Sequence, residues 1–388
     1  MGLLIRLFIS AFRGEKEVLN MERRKPVLRE VLAFTVFVTV IGVLFVLNFV
    51  IPAPTVLVSE RRPPATLPEL SLKSVLSGDF MSKFDNYAAD RFVFRDVFRG
   101  VRSFMVYDIY MQTDKAGLYR TNSVGVGEFK RIDEKSFRQS SERLKKAADS
   151  LDGLDMNIYY SIVPDKSVFS GRYMPGFDLA TAEGILFDVF GDYKYIPLMN
   201  KLDAECFYKT DIHWDQSKIS GVVSHILSSM GASADLGGFS IVNAGEFRGV
   251  YSGQLALPIA ADEMNYLDMP GLSVTYLNEK TLKLESGPVY DTQRFAGIDP
   301  YDLFLRGSQP LIVIENSSAP ERELFLFRDS YGSSLAPLLA GSYSKVTVID
   351  LRYIHMGLLD QFIDLTPGSD VLFIYSSQIF NNPSILMV

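Results

Sequence analysis

The segment Thr-Asp-Ile-His-Trp-Asp, at residues 210–215, places an imidazole close to carboxylates in the sequence. Asp211 and His213 lie two positions apart, so on an extended backbone their side chains point to the same face. An imidazole that is oriented by a carboxylate forms the base half of a catalytic triad. Among the three histidines of the chain, His213 is the one with an aspartate two residues before it. The segment therefore predicts a general base at His213, with Asp211 as its partner.

The missing nucleophile is predicted at Ser330, in the segment Arg-Asp-Ser-Tyr-Gly at residues 328–332. A serine hydroxyl becomes a good nucleophile when a base such as His213 removes its proton. Asp211 would hold the histidine tautomer and stabilise the imidazolium. The alternative role for Ser330 is that of a helix N-cap, a position that serine favours.

The residues around Ser330 predict a strand, then the nucleophile, then a helix. An apolar run at residues 323–327 leads into the segment, and a helical pattern follows from about residue 333. Ser330 would then lie at the carboxyl end of a strand, where the active sites of open α/β sheets occur. The N–H groups of Ser330 and Gly332 would be available to an oxyanion, and Gly332 lets the backbone come close.

Other histidines and other chemistry compete with this interpretation. His355 follows the nucleophile in the chain and is the alternative base, whereas His225 falls in an amphipathic helical pattern and is predicted to be structural. Asp211, His213 and Asp215 could bind a metal through their period-2 spacing, but the sequence offers no further cluster of ligands. We therefore predict neither a metal nor a cofactor.

Four further residues are candidates for contact with a substrate, namely Trp214, Tyr331, Arg352 and Tyr353. Trp214 is the only tryptophan of the chain, and its alternative role is core packing. A structural salt bridge is the alternative role for the Arg352 and Tyr353 pair.

Composition limits the classes of function that the chain can have. Its 388 residues suffice for one or two domains with a sizeable core. A net charge of -7 argues against nucleic acid as the main partner. The single cysteine, Cys206, excludes an internal disulfide framework and a cysteine-rich metal site.

Residues 31–51 form an uncharged apolar run of about the length that a membrane-spanning helix needs. A cleaved signal peptide is the alternative, but the run is long for the hydrophobic region of such a peptide and no small-residue cleavage site follows it. Basic residues precede the run, so the N-terminus is predicted in the cytoplasm and everything after about residue 55 outside. Residues 3–12 could form a short amphipathic helix at the membrane interface.

The chain is predicted to have four parts: a cytoplasmic segment at 1–30, a transmembrane helix at 31–53, a Pro-rich stalk at 54–75 and an extracytoplasmic domain at 76–388. Helical and strand patterns alternate in that domain, as in α/β folds. Helices are predicted at about 76–113, 136–151, 215–230 and 333–339, and strands at 156–163, 311–314, 323–327, 345–350 and 370–375. The arginines at positions 91, 95, 99 and 102 are predicted to form a solvated face that pairs with nearby aspartates.

These motifs together resemble those of the DHHW family, relatives of the AlgX and AlgJ alginate O-acetylation proteins with an SGNH-hydrolase-like domain. Besides Thr-Asp-x-His-Trp and the later Asp-Ser-Tyr-Gly, segments that match in type and order are Glu60-Arg61-Arg62, FDNYAADRFVFRD at 84–96, Pro164-Asp165-Lys166, Tyr301-Asp302 and Asp350-Leu351-Arg352-Tyr353. The first histidine of the family's name motif is Ile212 here, and the catalytic histidine of the AlgX and AlgJ relatives corresponds to His213. The Gly and Asn blocks that SGNH hydrolases use for an oxyanion hole are not evident, and Asn316 and Asn381 are candidates only by type.

The resemblance implies an SGNH-hydrolase-like α/β domain of three layers with a central, mainly parallel sheet, preceded by one N-terminal transmembrane helix. It implies a membrane-anchored, extracytoplasmic O-acetyltransferase that passes an acyl group from Ser330 to a hydroxyl of a cell-surface polysaccharide. A membrane-bound O-acyltransferase partner would supply the acyl group. The alternatives are a carbohydrate esterase that uses the same triad and a non-catalytic polysaccharide-binding or assembly scaffold.

Overall fold

The computed structural model describes residues 28–129, 131–171, 176–233 and 236–388. The chain divides into two compact units, one of residues up to Thr55 together with Pro64–Arg95, and one of Val56–Pro63 together with Asp96–Val388. Part of the predicted stalk, Val56–Pro63, thus belongs to the larger unit. The division predicted from the sequence, which concerns membrane topology, stays a prediction. The predicted interfacial helix at 3–12 lies outside the described residues.

The smaller unit contains helices α1 (Leu28–Val50), α2 (Leu72–Leu76) and α3 (Asp79–Arg91). Helix α1 has 23 residues, none of them buried. Among the described residues it is the one helix whose length and apolar composition suffice to cross a membrane. It covers nearly all of the predicted run at 31–51.

The larger unit is built on an eight-stranded sheet. In chain order the strands are β1 (Asp114–Lys115), β2 (Leu118–Thr121), β3 (Gly125–Glu128), β4 (Asn157–Val163), β5 (Lys194–Tyr195), β6 (Ser240–Phe247), β7 (Asp262–Asp268), β8 (Leu272–Asn278), β9 (Lys283–Gly287), β10 (Leu311–Asn316), β11 (Glu323–Arg328), β12 (Lys345–Ile349) and β13 (Asp370–Ser376). The strand order in the eight-stranded sheet is β5-β4-β13-β11-β12-β10-β8-β9. The first five strands in this order are parallel to one another, whereas β10, β8 and β9 add antiparallel pairs at the other side. Strands β1–β3 form a separate small sheet, and β6 and β7 form a hairpin.

Helices cover both faces of the large sheet, which gives the predicted three layers. The remaining α-helices are α4 (Arg95–Phe104), α5 (Glu134–Asp152), α6 (Leu179–Phe190), α7 (Ser220–Ser229), α8 (Val250–Leu255), α9 (Thr292–Phe295), α10 (Ser330–Leu339) and α11 (Ser377–Phe380). Helices α5 and α6 pack on one face, and α7 and α10 pack on the other. The α/β architecture with a mainly parallel central sheet is therefore confirmed.

Strand β11 shows why the core strands read as continuous apolar runs. Leu324 and Leu326 face the core beneath α7 and α10, while Phe325 and Phe327 face the core beneath α5 and α6. All four are buried. A strand buried on both faces has no polar alternation, as is usual in parallel sheets covered by helices. The strand that leads to Ser330 is therefore among the most constrained parts of the fold.

Truncation of Leu326 tests this constraint. Leu326→Ala removes a fully buried side chain and leaves a cavity, so the free energy of unfolding should fall by about 2–5 kcal/mol in urea titrations. Leu282→Ala is the matched control, since Leu282 is 61% exposed and its loss should change stability by less than about 0.5 kcal/mol. Equal effects of the two substitutions would contradict the assigned core.

Candidate active site

Ser330 begins helix α10 directly after strand β11, at the carboxyl edge of the parallel strands. Asp329 precedes it and caps the helix. One carboxylate oxygen of Asp329 accepts the Tyr331 N–H at 3.1 Å, and the other accepts the Ser376 N–H, at the end of β13, at 2.8 Å. Because Asp329 is the cap, the Ser330 hydroxyl is not needed for that purpose.

The Ser330 hydroxyl meets His213 instead. Ser330 Oγ lies 2.8 Å from His213 Nε2, and the other ring nitrogen, Nδ1, lies 2.6 Å from Asp211 Oδ1. An ionised carboxylate can only accept, so Nδ1 carries the proton and Nε2 accepts the hydrogen bond of the hydroxyl. The structure thus brings the three side chains into one hydrogen-bonded line, at distances that suit proton transfer from a serine to a histidine base.

Asp211 and His213 lie in a bend of the chain, so the prediction of an extended backbone between them is wrong. Asp211 Oδ1 accepts the backbone N–H of His213 at 3.1 Å as well as the ring N–H. Aspartate favours such local bonds to the backbone two residues on. The side chains meet because Asp211 folds back on the loop, and the alternation of a strand has no part in it.

Asp211 is fully buried and has two further partners. Its Oδ2 accepts the Val250 N–H at 2.8 Å, and Arg61 Nη2 lies 3.4 Å from the same oxygen. Burial raises the pKa of the Asp211 carboxyl, but the hydrogen bond and charge of His213, together with the Arg61 charge, outweigh burial and hold this pKa well below its usual range. Asp211 is therefore ionised, as a carboxylate that orients an imidazolium must be.

Arg61 comes from the segment that the sequence assigned to a stalk. Its guanidinium also donates to Asp299 Oδ1 at 2.7 Å and to the carbonyl of Arg248 at 3.1 Å. Its side chain is only 11% exposed. Arg61 belongs to the Glu60-Arg61-Arg62 motif, but no role could be predicted for it, because it lies 150 positions from Asp211 and residue spacing carries no signal over that distance.

The imidazole ring of His213 is fixed from its face by Tyr301. The two rings stack with centroids 3.8 Å apart and planes inclined by 10°. The Tyr301 hydroxyl donates to Ser334 Oγ at 2.9 Å, in helix α10, which also carries Ser330. Tyr301 therefore sets the plane of the imidazole, and Asp211 sets its rotation within that plane.

Two charged side chains, Asp262 and Lys166, hold the loop before His213. The Asp262 carboxylate accepts the Lys209 N–H at 2.9 Å and both the N–H and hydroxyl of Thr210, at 2.8 and 2.6 Å. The ammonium of Lys166 donates to the carbonyls of Tyr208 at 2.8 Å and Val124 at 3.2 Å. Burial lowers the pKa of Lys166 to about 8, which the nearby carboxylates oppose only in part.

Two glycines permit close backbone approaches at the site. A Cβ on Gly249 would lie 2.3 Å from Asp211 Cβ, so glycine lets the start of α8 bring its N–H groups to the carboxylate. A Cβ on Gly332 would lie 2.4 Å from Arg328 Cβ. The Gly332 N–H, predicted to be available to an oxyanion, donates to the carbonyl of Asp329 at 3.0 Å. Within the described residues, the Ser330 N–H makes no such bond.

Two predicted sugar contacts are structural. Trp214 is 0% exposed, and its indole N–H donates to Ser334 Oγ at 2.8 Å, so it packs beneath the site and cannot act as a sugar platform. Tyr331 is buried, and its hydroxyl donates to the carbonyl of Ile212 at 2.6 Å. Both side chains connect helix α10 to the loop that carries His213.

Arg352 forms a salt bridge within the protein, whereas the ring of Tyr353 is exposed. Arg352 donates to both carboxylate oxygens of Asp350, at 2.8 and 2.6 Å, and Asp350 also bonds Arg328 at 3.2 Å. The salt bridge considered as its alternative role is thus present. Tyr353 is 45% exposed, so its ring is accessible to a ligand.

The other candidates by residue type are engaged elsewhere. His355 is exposed and caps a short helix by accepting the Gly357 N–H at 3.0 Å. His225 lies on helix α7, as predicted.

Asn316 donates to the carbonyl of Ala340 at 2.8 Å and Asn381 to that of Arg131 at 2.8 Å, so neither amide serves Ser330. Asp215 caps the turn before α7. Across the described ranges no group of three or more His, Cys, Asp or Glu side chains is placed to hold a metal ion.

Comparison with known proteins connects this site to a fold. The sequence matches no family model, and a search of curated proteins gives no match either. Among solved structures, a DHHW family protein from Eubacterium siraeum superimposes with a TM-score of 0.56 at 16% identity, over 69% of this chain and 96% of that one. The chain has the fold of a DHHW protein. The resemblance inferred from the sequence motifs is thus confirmed at the level of fold.

Bacillus cereus PatB1 has the same fold. It superimposes with a TM-score of 0.54 at 18% identity, over 69% of this chain and 98% of that one. The structure of PatB1 with a sulfonyl adduct gives a TM-score of 0.55 at 17% identity, over 68% of this chain and 95% of that one. At such identities the likeness establishes the fold.

Replacement of Arg61 tests its link to Asp211. Arg61→Gln should lower the free energy of unfolding by roughly 3 kcal/mol at neutral pH, because it leaves a buried carboxylate without its cation. Asp211 has a depressed folded-state pKa, so its stabilising contribution is complete above about pH 4 and is lost as the pH falls. The difference between wild type and variant should therefore shrink only below about pH 4.

Arg62→Gln is the control for that experiment. Arg62 pairs with Glu60 at 2.7 Å, and its side chain is 42% exposed. Its replacement should cost less than about 1 kcal/mol. Equal losses in the two variants, or an Arg61 effect that does not change with pH, would contradict the assigned ion pair.

Lys166 makes a separate prediction for alkaline conditions. Its folded-state pKa of about 8 lies below the usual 10.5, so the folded protein releases a proton that the unfolded chain still binds. Stability of the wild type relative to Lys166→Met should therefore rise between about pH 8 and pH 10.5. Urea titrations across this interval measure the rise, and parallel pH curves for the two proteins would show that Lys166 is not buried as a charge.

Proposed function

We propose that this protein is a membrane-anchored, extracytoplasmic O-acetyltransferase that acts on a cell-surface polysaccharide. The observation that carries the proposal is the hydrogen-bonded line from Asp211 through His213 to Ser330, with distances of 2.6 and 2.8 Å. A second support is the DHHW-type fold, which the motif resemblance connects with carbohydrate O-acetylation. Acyl transfer through a serine ester is the chemistry that this arrangement suits best.

In the first half of the reaction Ser330 Oγ attacks the carbonyl carbon of an acetyl ester. The hydroxyl proton passes to His213 Nε2, and the carbonyl oxygen becomes an oxyanion. The Ser330 N–H at the start of α10, which makes no hydrogen bond within the described residues, would donate to it. The bond from the carbonyl carbon to the leaving oxygen then breaks. His213 returns its proton to that oxygen, and an acetyl ester of Ser330 remains.

In the second half a sugar hydroxyl takes the place of the leaving group. It attacks the carbonyl carbon of the acetyl-serine while His213 Nε2 removes its proton. Ser330 Oγ then leaves and recovers the proton from His213, so the enzyme is regenerated and the sugar carries the acetyl ester. Asp211 stays ionised throughout and stabilises each imidazolium. Water in place of the sugar would give an esterase.

The location and the acyl supply belong to the same proposal. Helix α1 would anchor the chain, with the basic residues before it on the cytoplasmic side. A membrane-bound O-acyltransferase would hand the acyl group to Ser330. Tyr353, whose ring is exposed, is the remaining candidate for a sugar contact among the residues predicted from the sequence.

Labelling with a sulfonyl fluoride tests the nucleophile, a choice that the sulfonyl adduct of PatB1 suggests. The reagent should modify the wild type on the peptide that contains Ser330, as read by mass spectrometry, and Ser330→Ala should not react. Ser333→Ala is the matched control on the same helix, because Ser333 Oγ is buried without a hydrogen-bond partner among the described residues and should be dispensable. Asp211→Asn should slow the labelling by up to about 10⁴-fold. Continued labelling of Ser330→Ala would place the nucleophile elsewhere.

The products distinguish transfer from hydrolysis. The purified protein is incubated with an acetyl-ester donor, with and without an oligosaccharide acceptor, and the acetyl group is followed. We expect acetylated oligosaccharide when the acceptor is present. Acetate alone would identify an esterase, and neither product would favour a polysaccharide-binding scaffold.

A further inference from the structure

Helix α4 (Arg95–Phe104) has its polar side inward. Its inner side approaches the segment 253–256 of the same unit. The Arg99 guanidinium donates to the carbonyls of Gly253 and Gln254 at 3.1 and 3.0 Å, and Ser103 Oγ donates to the carbonyl of Leu255. A Cβ on Gly100 would lie 2.6 Å from the carbonyl oxygen of Ala256, so the helix packs backbone to backbone there. Arg99 also pairs with Asp96 at 2.9 Å, as predicted, but its side chain is only 20% exposed, so the prediction of a solvated face is wrong at this position.

The opposite side of α4 is apolar and exposed. Val97, Val101 and Phe104 follow one another at spacings of four and three, and they are 62%, 54% and 50% exposed. Three more exposed apolar residues follow the helix in the chain, namely Ile109, Tyr110 and Met111. Met111 is 78% exposed. Most surface helices of soluble proteins have the reverse arrangement, with the apolar stripe facing the core. An exposed set of large apolar side chains of this kind marks a site of interaction.

The length of the connecting chain limits how far the segment that contacts α4 can lie from the end of α1. Glu60 Oε1 lies 3.0 Å from Arg99 Nη2, and Ser59 Oγ accepts from the same guanidinium at 3.4 Å. Leu57, just before them, is buried in the larger unit. Leu57 follows Val50, the last residue of α1, by seven positions, and an extended chain of that length reaches at most about 25 Å. If α1 spans a bilayer, this limit keeps the segment that contacts α4 near the surface of the bilayer.

We propose that the exposed side of α4, formed by Val97, Val101, Phe104, Ile109, Tyr110 and Met111, lies in the interface of the lipid bilayer that α1 anchors. The proposal rests on the membrane anchorage in the proposed function. Apolar side chains of an interfacial helix reach about 5–10 Å into the boundary between headgroups and acyl chains. Arg102, on the flank of α4 between its two sides, is exposed and has no acidic partner within the described residues, so it is available to lipid phosphate.

This placement has a consequence for the site. The segment Leu57–Arg62 contacts α4 through Glu60 and the buried Asp211 through Arg61. Docking of α4 would hold that segment, and thereby the active site, at a fixed height above the membrane. An acyl group that is delivered at the membrane surface would then meet Ser330 at a constant distance, which a flexible stalk could not ensure.

Depth-dependent fluorescence quenching tests the proposal on the full chain in lipid vesicles. The native Cys206 is buried, so a thiol-reactive bimane reports on an introduced cysteine, with the unmodified protein as the blank. Val101→Cys carries the probe on the exposed side of α4. Ile241→Cys is the matched control, an aliphatic residue that is 69% exposed on strand β6. Val40→Cys marks the middle of α1.

We expect lipids brominated near the headgroup to quench the Val101 probe more than lipids brominated near the chain ends, and aqueous iodide to quench it weakly. The Ile241 probe should respond to iodide and not to brominated lipid. A Val101 probe that behaves like the Ile241 probe would overturn the proposal. So would a Val101 probe shielded from both quenchers, since a second copy or a protein partner would then cover α4.

The Val40 probe separates failure of this inference from failure of the anchor. Quenching of Val40 by deeply brominated lipid shows that α1 is inserted, so a negative result at Val101 then concerns α4 alone. No quenching at Val40 would remove the tether and overturn the interfacial placement with it. Sulfonyl labelling of Ser330 is independent of both results and continues to test the catalytic proposal.

Discussion

The organisation of this site depends on one buried negative charge, the carboxylate of Asp211. A fully buried carboxylate is costly unless every oxygen is bonded and a cation lies near. His213 and Val250 supply the bonds and Arg61 supplies the cation. Because these partners come from three distant parts of the chain, the charge fixes the loop, the start of α8 and the segment after α1 to one another.

That constraint explains the residues packed around the loop. Gly249 is glycine because the backbone must come close to Asp211, and Lys166 is buried because the loop carbonyls need a donor. Tyr301 then holds the imidazole plane over the start of α10. Asp329 caps that helix and so leaves the Ser330 hydroxyl to His213. Each of these contacts thus contributes to the geometry of the candidate triad.

The sequence predicted the parts of this molecule whose signals are local. Continuous apolar runs identified strands β4, β11, β12 and β13, since a strand buried on both faces has no other pattern. The antiparallel strands β6–β9 escaped notice because their half-exposed residues give weak alternation. Arg61 and the inverted polarity of α4 could not be predicted, because each depends on which distant segment a side chain meets. For Trp214 both a substrate contact and core packing stayed open, because burial cannot be read from residue type.

The central claim is that Ser330, activated by His213, carries the acyl group. Acid-quenching the protein during its first turnover with an acetyl-ester donor, followed by peptide mass spectrometry, measures this directly. The account predicts acetyl on the peptide containing Ser330, and its loss when an oligosaccharide acceptor is added before the quench. Acetyl on any other residue, or an unmodified Ser330 while product accumulates, would contradict it.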